Sequence, residues 1–217
     1  MNYIDYLILF LFSGIISIDR NNALNIMISR PFIISVLFYL IFYSNPVILV
    51  MGIIFEIYGL TDVPVGTHIS KDDTFAAYAS CLTSLHSNID TSIKFIALIL
   101  FTIILMYFVT NFDLYSKKIN RILYNRAESK DNFRPKKLIF IGILVAFFKG
   151  VIIYNLGALL LIGIINNITI VSDRNIGIYA CILITVVMAY FMDFFEIFGH
   201  KKYFFILLGF LCGWFVL

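Results

Sequence analysis

The sequence predicts an all-α, polytopic transmembrane protein, and three observations lead there. Of 217 residues, 61 % are hydrophobic and 13 % are Asp, Glu, Lys or Arg, where a soluble domain has about 45–50 % and about 25 %. Apolar runs close to the ~20 residues that a helix needs to cross hydrocarbon recur along the chain. The polar and turn-prone residues gather in islands between those runs. No soluble domain separates from them, so residues 1–217 read as one membrane domain with about 5–7 membrane segments.

The first run, residues 4–18, carries Asp5 early and lacks a basic leader, so it reads as a retained first helix. Residues 31–60 differ: "PFIISVLFYLIFY" and "VILVMGIIFEIYGL" are each too short for an ordinary span and are separated by the turn signal "SNP" at 44–46. Two half-helices forming a re-entrant hairpin fit those lengths, and non-helical backbone at membrane depth needs cover from protein or a wet cavity. Residues 94–109 predict an ordinary span. The run 137–165 is too long for one upright helix and holds Lys149 in its middle, so it tilts, kinks near Gly150, or divides in two. Residues 176–192 and the shorter 203–217 complete the set.

Residues 111–137 read as a basic cytoplasmic loop, with eight lysines or arginines against three acids. Span parity then places the Asp173–Arg174 loop outside, "GHKK" (199–202) inside, and the acidic 61–73 stretch toward the outer side unless it folds into the protein. No aromatic platform interleaves with the basic run, which argues against nucleic acid. Cys81, Cys181 and Cys212 are scattered in or beside apolar segments and form neither a disulfide framework nor a metal site. Phosphate loops, HExxH and serine nucleophile elbows are missing from the sequence, so no cofactor is expected, and the chain reads as a carrier or channel subunit before an enzyme.

The polar islands supply the candidate site. Glu56, set between "MGIIF" and "IYGL", must face a partner, a cavity or the membrane edge. Pro64 and Gly66 break the helix that follows. His68 and Asn25 can each donate to and accept from a sugar hydroxyl. Asp72 and Asp73 precede "TFAAYAS", where one carboxylate caps a helix; Asp73 is read as the cap and Asp72 as free for substrate. Asp19 and Arg30 are placed to pair across their segment, Arg20 reads as a membrane-edge charge, and Lys149 requires an acid inside the bundle or a substrate. Asp193 and Glu196 share a helical face and read as structural.

"IDRNNALNIMISRPFIISVLFYLIF", "GIIFEIYGLTDVPVGTHISKDDTFAAYAS" and "FGHKKYFFILLGFLCG" resemble the C subunit of mannose/sorbose-type sugar phosphotransferase permeases. The likeness is dense over 19–80, at Asp19, Arg20, Met27, Ser29, Arg30, Pro31, Glu56, Leu60, Pro64, Val65, Gly66, Asp72, Asp73 and Thr74, and rests on hydrophobic pattern beyond. Asn25 stands where the family prefers Gln, "YSNP" replaces a Gly-Asp turn, "SK" at 70–71 replaces Pro-Pro, and Lys149 takes the place of an Arg. The chain reads as a divergent member, shortened at its C-terminus.

The resemblance implies a multi-pass subunit of a bacterial inner membrane that translocates a hexose-like sugar with a D-type membrane subunit, in an oligomeric complex. Soluble A- and B-type phosphocarriers supply the phosphoryl group, and no histidine of this chain accepts it. Glu56, Asp72, Asn25 and His68 are then expected to line the sugar site. Asp19, Arg30, Pro64, Gly66 and Lys149 are expected to hold the broken elements around it. From the residues alone two other functions stay open: a non-transporting partner or sensor of the same fold, and a membrane-embedded enzyme acting on lipid.

Overall fold

The computed structural model describes residues 3–20, 26–42, 45–61, 70–89, 91–128 and 135–168. Among these every regular element is a helix: α1 (Tyr3–Arg20), α2 (Pro31–Phe42), α3 (Val47–Thr61), α4 (Asp73–His86), α5 (Ser92–Glu128), α6 (Pro135–Lys149) and α7 (Asn155–Asn167). A π-helical turn, Gly150–Tyr154, joins α6 to α7 without a break. Two helical stretches, Lys94–Ile119 and Ile139–Asn167, are long and apolar enough to cross a membrane. The expected runs at 176–192 and 203–217, with Asp193 and Glu196, lie outside the described residues.

Local chemistry fixes the helix ends. Pro31 and Pro135 each occupy a first helical position, where the missing N–H costs nothing. Asn45 and Pro46 stop the chain between α2 and α3, and the Asn45 side chain accepts the N–H of Val47 at 3.1 Å. α2 and α3, with 12 and 15 residues, reach only about 18 and 22 Å, against a hydrocarbon layer of about 30 Å. They pack as the antiparallel pair expected for 31–60. Gly52 is the point of closest approach, since a Cβ there would overlap the Ser35 side chain.

The core is built around α4, in which every residue from Thr74 to Ser84 is buried. Its alanines and serines let neighbouring backbones come close, while Phe75 and Tyr78 fill the larger gaps. Ser80, Thr83 and Ser84 return their hydroxyls to carbonyls of α4 itself, so none is left unpaired in the apolar interior. Around it lie α2 and α3 (Phe38 edge-on to Tyr78, centroids 5.7 Å apart), α7 and α5.

The π turn begins at Gly150, within the run that is too long for one upright helix. Gly150 lies against α1, and a Cβ there would overlap Ser13 O and Ser17 Cβ. Ser17 donates to the carbonyl of Ala146 at 2.7 Å, and Asn155 donates to Val151 O at 2.8 Å and Ser13 Oγ at 2.9 Å. Side chains thus reach carbonyls around the widened turn, as a disturbed ladder requires.

One expectation is corrected, and another resolves to its stated alternative. The stretch 111–137 is not a loop over most of its length: α5 continues through the basic residues to Glu128 and α6 begins at Pro135. Lys, Arg and Glu are good helix formers in water, so the change from apolar to basic residues does not end the helix. Ser70–Asp73 takes the alternative in which the acidic stretch folds into the protein. Asp72 N–H donates to Thr110 Oγ1 at 3.0 Å, which folds the segment into the protein on the basic side of the middle of α5. From that level the hairpin, α4, α7 and the first part of α5 extend one way, and the rest of α5 and α6 the other, with the last turns of α1 beside α6.

Candidate functional site: a buried charge network where helix ends meet

The C-terminal end of α1, the start of α2, the end of α3 and the start of α4 converge beside Asp113 of α5 and Lys149 of α6. Two helix N-termini and two C-termini therefore present their partial charges to one polar layer. Short helices whose ends meet inside a bundle are the arrangement by which membrane carriers build polar sites.

Asp72 is the centre. It is completely buried and caps α4, accepting Phe75 N–H at 2.9 Å. Lys149 Nζ lies 2.6 Å from Asp72 Oδ2 and 2.6 Å from Asp113 Oδ1. Arg20 Nε stands 3.3 Å from Asp72 Oδ1, and its Nη1 pairs with Asp73. The other end of the guanidinium donates to the carbonyls of Ser70 and Lys71 at 3.3 and 2.6 Å, so one planar fork closes the turn into α4. Tyr154, the last residue of the π turn, is 2.9 Å from each oxygen of Asp72 through its hydroxyl. Its ring also lies beneath Lys149, 5.3 Å from Nζ.

Burying this many charges is tolerable only because each meets an opposite charge and further hydrogen bonds. The network also ties distant segments together, joining α1, α4, α5 and the α6–α7 junction. Asp73, expected as the cap, instead takes Arg20 and the N–H of Thr74 at 2.9 Å. The capping role falls to Asp72, whose oxygens are both occupied.

A second cluster closes the hairpin. Glu56 Oε2 accepts the N–H of Phe32 in the first turn of α2 at 3.1 Å, and Oε1 lies 3.6 Å from Arg30 Nη1. A carboxylate on α3 thereby caps α2 from across the hairpin. Glu56 keeps about a quarter of its side chain exposed and Arg30 about half, so this pair is accessible where Asp72 is not. Asp19 does not pair with Arg30: its oxygens take the N–H groups of Ile26 and Ser29 at 2.7 and 2.8 Å. Those two bonds span Met27, whose φ of 65° is left-handed and costly for a side chain of that size. Asn25, Pro64, Gly66 and His68 lie outside the described residues.

Arg20, Asp113 and Tyr154 carry more of this site than the sequence reading gives them. Asp113 is hidden there by its place among basic residues, although its spacing to Thr110 puts both on one helical face. Tyr154 sits in a long apolar run, between Lys149 and Asn155, where nothing local marks the tyrosine as a partner for Asp72. Replacing Tyr154 by Phe removes a donor to a buried carboxylate and should cost about 1.5–3 kcal/mol, read as earlier unfolding in detergent titration with helix content unchanged before the transition. An unchanged midpoint would mean that the hydroxyl does not hold Asp72.

Comparison of the chain with protein-family models, curated proteins and solved structures finds no match.

Proposed function

We propose that the chain is the sugar-translocating membrane subunit of a phosphoenolpyruvate-dependent permease of the mannose/sorbose type, working in a bacterial inner membrane with a D-type partner. The observation that carries this reading is the convergence of short helix ends, including the half-length α2–α3 hairpin, on one polar layer. Eight residues of the two clusters, Asp19, Arg20, Ser29, Arg30, Glu56, Asp72, Asp73 and Thr74, are among those on which the family resemblance rests. Thr74 Oγ1, for example, donates to Ser29 O at 2.9 Å and ties two of the motif segments together.

The geometry divides the roles differently from the sequence reading. Asp72 is assigned to holding the layer, with Lys149, Arg20 and Asp113, because its acceptor positions are taken. Glu56 is assigned to the sugar, and Asn25 and His68, outside the described residues, keep the donor and acceptor roles that the sequence offers them. The layer lies toward the end of α5 that continues into the basic run, which the positive-inside rule assigns to the cytoplasm. A site there suits release to a soluble phosphocarrier. The two further runs at 176–192 and 203–217 complete a multi-pass subunit.

A second reading has one observation in its favour. With Asp72 fully engaged, the layer offers fewer free acceptors than a sugar site needs, as in a partner or sensor that keeps the fold without carrying substrate. Co-expression with a D-type subunit decides between them. The two should purify together in mild detergent, and membranes holding both, given the soluble phosphocarriers, should phosphorylate a hexose from phosphoenolpyruvate. A stable complex without phosphorylation or uptake would establish the non-transporting role, and failure of the two to associate would remove the permease reading.

A further inference from the structure

α5 has 37 residues, about 55 Å of helix, and its apolar stretch runs from Lys94 to Ile119. Hydrocarbon is about 30 Å thick, and about 40–45 Å with the headgroups. Lys117 and Arg121 stand roughly 35 and 40 Å along the axis from Lys94. With Lys94 at one edge of the hydrocarbon, the opposite headgroup zone lies about 30–37 Å away, so Lys117 falls within it and Arg121 just past its outer edge, where a long side chain still reaches back to the headgroups.

Lys117, Lys118 and Arg121 are all exposed, and successive steps of about 100° bring them within roughly 100° of arc on one face. The acid within a turn of them is Asp113, whose carboxylate is buried against Lys149. None of the three makes an ion pair among the described residues. Exposed Tyr115 and Tyr124 bracket the stripe, in the position where tyrosine rings settle at membrane–water boundaries. Three cations on one face, without an ion pair among the described residues, at and just past headgroup depth and set between interfacial tyrosines, match the charge of lipid phosphates.

We infer that Lys117, Lys118 and Arg121 form a binding site for the headgroups of anionic phospholipids. The inference rests on α5 crossing the membrane and is independent of sugar transport. Each basic residue near an anionic surface contributes about 1 kcal/mol, so three acting together should enrich anionic over zwitterionic lipid by about tenfold or more.

The full chain, extracted in mild detergent from vesicles of equal parts phosphatidylglycerol and phosphatidylcholine, can be weighed by native mass spectrometry with its retained lipids. The parent should keep phosphatidylglycerol preferentially. The K117Q/K118Q/R121Q variant should lose that preference, and K117R/K118R should keep it, which separates charge from any loss of fold. Equal retention of the two lipids by the parent, or an unchanged preference in the triple Gln variant, would overturn the inference. A chain that stays in solution without detergent would instead break the membrane reading of α5, and this shows before any lipid is counted.

Discussion

Replacing Lys149 by methionine should destabilise the folded chain by about 3–5 kcal/mol, the usual cost of removing one member of a buried charge pair. Lys149 touches two carboxylates at 2.6 Å, and methionine fills much of its volume while leaving both charges in a nearly dry layer. Arg20 and Tyr154 still serve Asp72, but Asp113 loses its counter-ion. The decisive comparison is therefore the double variant Lys149→Met with Asp113→Leu, which removes the stranded charge and should recover part of the loss. Unfolding in mixed detergent, followed by helical signal, measures the parent, each single variant and the double variant. Equal and additive losses would mean that the two side chains do not interact, and the charge network would have to be redrawn. Lys149→Arg keeps the charge in a bulkier, planar group and should lie between parent and methionine variant.

Glu56→Gln should weaken hexose binding by roughly ten- to a hundredfold in the complex with its partner subunit. Glutamine keeps an acceptor for Phe32 N–H, so the end of α2 remains capped. The partly exposed pairing with Arg30 adds little to stability in any case. What changes is the charge available to a sugar hydroxyl, and a hydrogen bond to a charged group is worth about 1.5–3 kcal/mol. Isothermal titration against hexose, after matching elution of both proteins from a sizing column, gives the ratio directly. Unaltered affinity would move the sugar away from Glu56 and leave the proposed site without its main acceptor.

Much of the fold can be read before any coordinates, for identifiable reasons. The hairpin at 31–60 announces itself because two apolar stretches are too short to span and the residues between them are Ser, Asn and Pro. That 137–165 departs from an ordinary upright helix follows from its length and the lysine inside it, and the π turn at Gly150–Tyr154 is the form this takes. Periodicity fails at the basic run, because charge marks exposure and says nothing about whether the exposed chain is helical. Individual roles fail for another reason. Which of two adjacent aspartates caps α4 depends on where Lys149 and Tyr154 arrive, 77 and 82 residues later in the chain, and no local pattern encodes that. Asp19 shows the same limit: local spacing offers Arg30 as a partner, while the two backbone N–H groups that take its carboxylate depend on the path of the turn between them.

The charge network also sets an order for biosynthesis. Arg20 and the Asp72–Asp73 pair are made early, so the first four helices leave the ribosome with one guanidinium to offset two carboxylates. α5 then brings Asp113, and its cation follows only 36 residues later as Lys149. Until that residue emerges, the nascent chain carries carboxylates that cannot enter hydrocarbon without a counter-charge. If the proposed membrane subunit is inserted as it is made, α4 and the middle of α5 are expected to wait at the aqueous edge, with final burial of α4 following the arrival of the α6–α7 segment. Arrested chains ending between Asp113 and Lys149 should leave α4 accessible to water-soluble thiol reagents at Cys81, while chains extended past Asn167 should protect it.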